Sequence, residues 1–468
     1  MSAESQFMTI STRTLFSGTV WTIGAYGAGT VLRTATNIVL ARLLAPDIFG
    51  TMLIVYTLKM GIELISDVGI NQNIVYNENA DNPEFYNTAW SLQLLRSIAL
   101  WLVFIAAAVP MARIYQSPIL AVVVPVTSFS LVLSGLTSLS KSLLQKRMQI
   151  ARLNVFDLIM AFIGSAATIL FAYLDPTIWA LVYGGLFSSA ASMVGSYFLL
   201  PEVRHRFYIS KQFSRQILGF GKWIFASSIV FFLSMYVDRL YLGTVIPVEL
   251  LGVYGIARSI SDLSGNLTMR LGNIVLFPFV ASHAQTPRPN LHKLLAPLRA
   301  KFLLLVAFGF AVFVATADLA IRIFYDQRYQ SASWILPLLV MGSWFSVLAY
   351  VNESIVLGLG KPSYGAASNA TKLAILAIGL PLMVGLFGLL GGVVVVALAD
   401  LARYFPILIG QRRERFSFGM QDLLLTLAVF LIVGLLEWLR WTSGFGTSFD
   451  TLPIDWSQFE LPKWTPHL

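Results

Sequence analysis

The chain of 468 residues contains no cysteine, which excludes disulfides, thiolate metal sites and cysteine nucleophiles. Its four histidines, His205, His283, His292 and His467, all fall outside the apolar runs, so no buried histidine metal site is expected. Charge is scarce: 12% of residues are charged against 57% hydrophobic. A soluble globule of this length needs far less apolar side chain, and the composition is that of a membrane protein. Long polar loops are missing too, and with them the place where a membrane glycosyltransferase or polymerase would hold catalytic acids. The opening MSAESQFMTISTRTLF lacks a short apolar core and a small-residue cleavage site, so the first apolar run is expected to stay in the mature chain. GLGKP at Gly358 to Pro362 is no phosphate loop, because Ile355 stands where the first glycine belongs and Pro362 replaces the Ser/Thr.

What is present is a succession of apolar runs of roughly 20 residues, each long enough to cross a hydrocarbon core of about 30 Å as a helix. Thirteen spans are predicted, near 16–40, 48–70, 88–110, 118–139, 153–174, 178–200, 219–243, 249–280, 301–324, 331–357, 364–386, 389–410 and 420–441. Basic residues set the orientation. Lys141, Lys146, Arg147 and Arg152, then Arg204, Arg206, Lys211, Arg215 and Lys222, then Arg288, Lys293, Arg299 and Lys301, then Arg412, Arg413 and Arg415 fall on one side if the spans alternate. The other side carries little beyond Arg42, Arg113 and Arg328. The N-terminus is therefore predicted to be cytoplasmic and the tail, with Trp456, Phe459 and Trp464, periplasmic. The net charge of +9 is read as this topology signal and not as a nucleic-acid surface. The segment NENADNPEFYN is acidic on the side expected to be basic, but acids weigh little in the rule.

The corner LARLLAPDIFG, residues 40–50, recurs. Trp21 and Trp223, Leu40 and Leu242, Asp47 and Glu249, and Gly50 and Gly252 all stand 202 positions apart, which pairs the corner with LGTVIPVELLG. NVFDLIMAFIG from Asn154 also matches NATKLAILAIG from Asn369, 215 positions on. Two repeats of six spans follow: an N-lobe over 1–205 and a C-lobe over 206–415, with an additional transmembrane helix at 416–441 and a tail at 442–468. An even span count per repeat relates the halves by an axis along the membrane normal, with a binding site expected between them. Chance similarity among apolar helices is the alternative.

LARLLAPDIFG followed by SDVGINQNIVYNE, then SLLQKRMQIARL, LGVYGIARSISDL leading into NIVLFPFVASHAQ, and SIVLGLGKPS resemble, in order and spacing over roughly residues 10–415, the Wzx-type polysaccharide exporters, especially the WzxC-like branch. These belong to the superfamily of multidrug and toxin extruders and lipid II flippases. The resemblance implies an all-α core of two six-helix bundles in the bacterial inner membrane. It would pass an undecaprenyl-diphosphate-linked oligosaccharide outward by alternating access, without catalysis and without a cofactor. A proton or sodium gradient as driving force stays open. Membrane lipids and the polysaccharide polymerase and export machinery are the implied partners.

Ionisable residues inside spans are costly unless they face protein or water, so each is a functional candidate. Lys59, Arg96, Arg258, Lys372 and Asp400 come out nearest the midplane, with Arg33, Asp238 and Arg239 nearer the periplasmic end. Lys59, Glu63 and Asp67 share one face of span two, as Arg258 and Asp262 do in span eight. Arg33, Lys59, Arg96, Arg258 and Lys372 are expected to face the cavity and attract diphosphate or acidic sugars, for which fixed guanidinium and ammonium groups suit. Glu63, Asp67, Asp238, Arg239, Asp262 and Asp400 are the coupling or lobe-pairing candidates. The competing view of all these charges is mutual neutralisation that holds helices together. Lipid II flippases are similar in being basic at the YGIAR position of Arg258, but they tend to be basic early in span two, where this chain has Ile62 and Glu63. A small-molecule exporter for organic cations would need unpaired midplane acids, which are few.

Overall fold

A computed structural model describes residues 12–453 except 68, 78, 79, 81 and 284, with side chains omitted for 12–23, 76 and 219–227. Every regular element among the described residues is helical. Nine helices there are long and apolar enough to cross a membrane, and a bent pair makes a tenth. The predicted tail residues Trp456, Phe459 and Trp464 lie outside the described residues.

All thirteen predicted spans fall on helices. In the first half these are α1 (Thr12–Leu43), α2 (Pro46–Ile65), α4 (Pro83–Ile114), α5 (Leu120–Gly135), α7 (Ile150–Leu174) and α8 (Ile178–Tyr197). Two short helices lie between the predicted spans: α3 (Ile70–Tyr76) and α6 (Ser140–Lys146). They pack on each other, and Ser142 Oγ donates to Asn71 Oδ1 at 2.8 Å. The acids before span three find a local cause in Glu84, which sits in the first turn of α4, where the helix dipole favours negative charge. Asn82 caps that turn, its Oδ1 accepting from the Glu84 N–H at 2.9 Å.

The second half contains α9 (Lys211–Val245), α10 (Val248–Leu271), α11 (Phe277–Ser282), α12 (Arg288–Phe324), α13 (Ala332–Gly358), α14 (Ser363–Arg413) and α15 (Gly419–Thr442). Predicted span eight is not continuous: a π turn at Gly272–Leu276 separates α10 from α11. Pro278, which lacks an N–H, stands at the start of α11 and removes one rung of the helical ladder. Helix α14 holds two predicted spans, broken at Gly388, whose φ of 59° suits glycine alone.

The two corners noted in the sequence meet. Each is a helix end, a proline and an acid in the next helix's first turn: Pro46 and Asp47 in α2, Pro247 and Glu249 at α10. The starts of α2 and α10 cross so closely that a Cβ on Gly50 would stand 1.9 Å from the Val248 carbonyl oxygen. One on Gly252 would stand 2.0 Å from the Pro46 oxygen. Val248 and Pro46 are themselves 202 apart, so the contact is reciprocal, as a two-fold relation requires.

Within the first half α1 lies on α7, α7 on α8, α8 on α5 and α5 on α4; within the second, α9 lies on α14, α14 on α13 and α13 on α12 and α10. Helix α15 packs on α12 and is pinned at both ends. Arg299 of α12 pairs with Asp422, which also accepts from Asn352 Nδ2 at 2.8 Å and the Tyr404 hydroxyl at 2.7 Å. At the far end Arg440 pairs with Asp318 at 2.8 Å. Arg299, counted above as a loop charge, is thus buried inside protein, 1% exposed.

The connection between halves is strapped to α4. Backbone N–H groups of Arg206, Tyr208 and Ser210 donate to Asn87 Oδ1, Ser91 Oγ and Thr88 Oγ1 at 2.8, 2.9 and 3.1 Å. His205 sits between Trp90, stacked at 5.5 Å, and the edges of Tyr86 and Tyr197, and its Nε2 accepts from the Leu139 N–H at 3.2 Å. Burial pushes its pKa down to about 4.

Candidate functional site

Polar residues of α1 and α10 line a cavity between the halves. It consists of two adjoining chambers of about 330 and 420 Å³ that share Tyr26, Arg33, Met60, Tyr236, Arg239, Asp262 and Asn266. Helical spacing builds one wall: Arg258, Asp262, Asn266 and Arg270 recur every four residues along α10, and all four line the larger chamber.

The cavity holds two kinds of cation. In the first set Arg258 Nε lies 3.2 Å from Asp262 Oδ1 and 3.6 Å from Asp238 Oδ2, Arg239 pairs with Asp262, and Lys372 pairs with Asp400. The Tyr254 hydroxyl donates to Asp238. Three cations thus meet three carboxylates, and Arg258, Asp238, Lys372 and Asp400 are each under 5% exposed. Arg403, buried beside this set, lies 3.2 Å from Glu353 and 4.4 Å above the Tyr350 ring. All these residues belong to α9, α10, α13 and α14, so the pairs bind second-half helices to each other and not one half to the other.

The second set is Arg33 and Arg270. Arg33, on α1, donates a long 3.4 Å bond to Thr30 Oγ1; Arg270 lies 4.3 Å over the Tyr26 ring. Both are exposed to the larger chamber, and neither has a carboxylate partner among the described residues.

Of the expected cavity residues, the structure places Arg33, Arg258 and Lys372 at these chambers, together with Asp262, Arg239 and Asp400. Lys59, Glu63, Asp67 and Arg96 line neither chamber; Met60 and Leu64 of α2 do. Arg96 instead satisfies the end of α2, donating to the Glu63 carbonyl at 2.6 Å and to Ser66 Oγ at 2.8 Å. Asp67 Oδ1 accepts from the Gly69 N–H at 3.0 Å in the turn that follows. Arg270 and Tyr26 were missed. The four-residue ladder from Arg258 could have found Arg270, but the Arg270–Tyr26 stack joins two chain segments that no spacing connects.

Two uncompensated guanidinium groups beside tyrosines and amides can hold an anionic, hydroxyl-rich ligand, with each guanidinium able to fork onto phosphate or carboxylate. No cluster of three or more metal-ligating side chains occurs among the described residues.

Comparison with known proteins decides the family: the family described as polysaccharide biosynthesis protein matches residues 39–334, more than half of the chain. The chain belongs to that family. The succinoglycan biosynthesis transport protein ExoT of Rhizobium meliloti is 22% identical over 338 residues, 71% of this chain and 67% of that protein. A putative O-antigen transporter of Shigella flexneri is 23% identical, covering 81% of this chain and 93% of its own. Among solved structures, the lipid II flippase MurJ in an inward closed conformation superposes with a TM-score of 0.72, at 12% identity, over 90% of this chain and 92% of that one. At that identity the likeness is one of fold, and the fold shared is a multi-pass helical one.

Proposed function

We propose that this chain is a flippase that moves an undecaprenyl-diphosphate-linked oligosaccharide repeat unit across the bacterial inner membrane. The observation that carries this reading is the unpaired cation set, Arg33 and Arg270, one from each half, at a cavity whose other charges cancel. A diphosphate loses hydration on leaving water, and two guanidinium groups offset that cost in a confined site. Tyr26, Tyr236 and Tyr350 line the same chamber, their rings stacked by Arg270, Arg239 and Arg403. ExoT and the O-antigen transporter, by their names, serve polysaccharide assembly, and they support the same ligand class.

In this reading residues 1–205 and 206–415 are two lobes that rock about the α2–α10 crossing, α15 travels with the second lobe, and the N-terminus is cytoplasmic. The end bearing the Gly50 and Gly252 contact is then periplasmic. The paired Asp238, Arg239, Arg258, Asp262, Lys372 and Asp400 frame the second lobe's wall, and Arg96 steadies α2. No chemical change of the ligand is involved. A drug exporter selecting organic cations would need an uncompensated acid in the cavity, and its acids all stand beside cations.

The test is translocation in sealed vesicles containing the purified full chain and a fluorescent undecaprenyl-diphosphate oligosaccharide. Probe should cross to the far leaflet faster than in protein-free vesicles. Accumulation of an organic cation, with no movement of the lipid-linked probe, would instead establish the exporter reading.

A further inference from the structure

At the end of the molecule where α2 and α10 cross, two arginines cap each other's helices. Arg42, in the last turn of α1, donates from Nε to the Phe324 carbonyl at 3.2 Å and from Nη2 to the Ile323 carbonyl at 3.3 Å, both at the end of α12. Arg328, in the turn just past α12, reaches back: its Nη2 donates to the Ala41 and Arg42 carbonyls at 3.1 and 3.2 Å, at the end of α1. The last carbonyls of a helix have no partner within it and carry the negative end of its dipole, so each cation meets the group it suits best. Asp326 holds Arg328 in position, accepting from its Nε at 3.0 and 3.1 Å and from its Nη2 at 2.6 Å.

The pair ties the first half of the chain to the second. Elsewhere α1 leans on α7, of its own half. Among the described residues its ring contact with α10 is Tyr26 beneath Arg270. Beneath the arginines, Tyr329 is fully buried and meets Phe49 edge-on with centroids 6.2 Å apart, beside the crossing of Gly50 and Gly252. The glycines let the backbones touch, and the arginines fasten the flanks.

We propose that Arg42 and Arg328 are a two-way latch that keeps this end of the cavity closed, and that opening toward this end requires both caps to be released. Both side chains are exposed, and Arg42, Ile323 and Phe324, themselves exposed, supply three of the four accepting carbonyls, so those groups are rewetted when released and their bonds exchange for water at little net cost. A buried pair such as Lys372 and Asp400 has no such exchange available. The latch is therefore suited to repeated release, and removing it shifts the closed–open population without removing a wall of the cavity. The inference rests on the cavity being the transport path, but its test depends neither on the ligand nor on which side of the membrane this end faces.

The chain's lack of cysteine makes the measurement direct. Asp175→Cys in the α7–α8 turn and Gln330→Cys beside the latch are spin-labelled in the full chain in lipid nanodiscs, and their separation is read by pulsed electron resonance. The unmodified latch should give one narrow distance. Arg42→Gln with Arg328→Gln should add a longer-distance population, and Asp326→Asn, which leaves both arginines in place, should add a smaller one. A distribution unchanged in the double variant overturns the latch. If the double variant does not accumulate, Asp326→Asn decides in its place, and an unchanged distribution there overturns it equally.

Discussion

The two cation sets of one cavity differ in what surrounds them. Arg258 and Lys372 are buried among carboxylates of their own half, whereas Arg33 and Arg270 stand open with a threonine and a tyrosine as company. A base inside an apolar span is thus no single kind of evidence. Where its charge is matched within the protein, removing it leaves an opposite charge stranded; where it is unmatched, removing it takes away something a ligand would use.

That contrast is broken most severely at Arg258. Arg258→Ala would leave Asp238 buried with Tyr254 as its remaining close donor, and losing one partner of a buried pair costs about 3–5 kcal/mol. The expected result is a several-fold loss of protein from the membrane before any transport defect can be read. Arg258→Lys restores the charge without the planar fork and should recover part of the amount. Near-normal abundance of the alanine variant, with export abolished, would move Arg258 into the ligand-binding set.

A weaker effect is expected at the strap between the halves. His205 accepts at Nε2 from a backbone N–H, and burial holds its pKa down at about 4, below the ordinary 6.5. Between these values the unfolded chain binds more protons than the folded one. Stability contributed by neutral His205 is therefore complete above pH 6.5 and is lost as pH falls toward 4. His205→Gln should flatten that part of a melting-temperature profile; an unchanged slope would show that the ring's protonation does not govern the strap.

The spans were legible because their length and apolarity are local properties, and the two corners were legible because both carry the same turn chemistry, a proline and an acid at the start of the next helix. The π turn after Leu271 and the break at Gly388 were not, since glycine and proline also occur within unbroken helices. Pro110 lies inside α4 and Pro125 inside α5. The site was read less well, for a reason that Arg96 and Lys372 make plain. Both were expected to face the cavity with free charge; Lys372 does line the larger chamber and Arg96 lines neither, but both are satisfied within the protein. The partner of Arg96 is the end of α2, some 30 residues earlier, and that of Lys372 is Asp400 in the other arm of α14. Helical spacing reports neighbours on one helix only, whereas these charges are satisfied across helices. Arg33 shows the opposite: a base near the periplasmic end can snorkel to the interface, yet Arg33 is one of the two cavity cations without a carboxylate partner among the described residues.

The central claim is that Arg33 and Arg270 hold the ligand's negative charge, and native mass spectrometry of the full chain, purified from cells making the polymer, tests it most directly. Wild-type protein should carry an undecaprenyl-diphosphate oligosaccharide. Arg33→Gln with Arg270→Gln should lose it about a hundredfold or more at equal protein, as expected for two charge-assisted bonds of about 1.5–3 kcal/mol each. Equal retention of that lipid by both proteins would contradict the account.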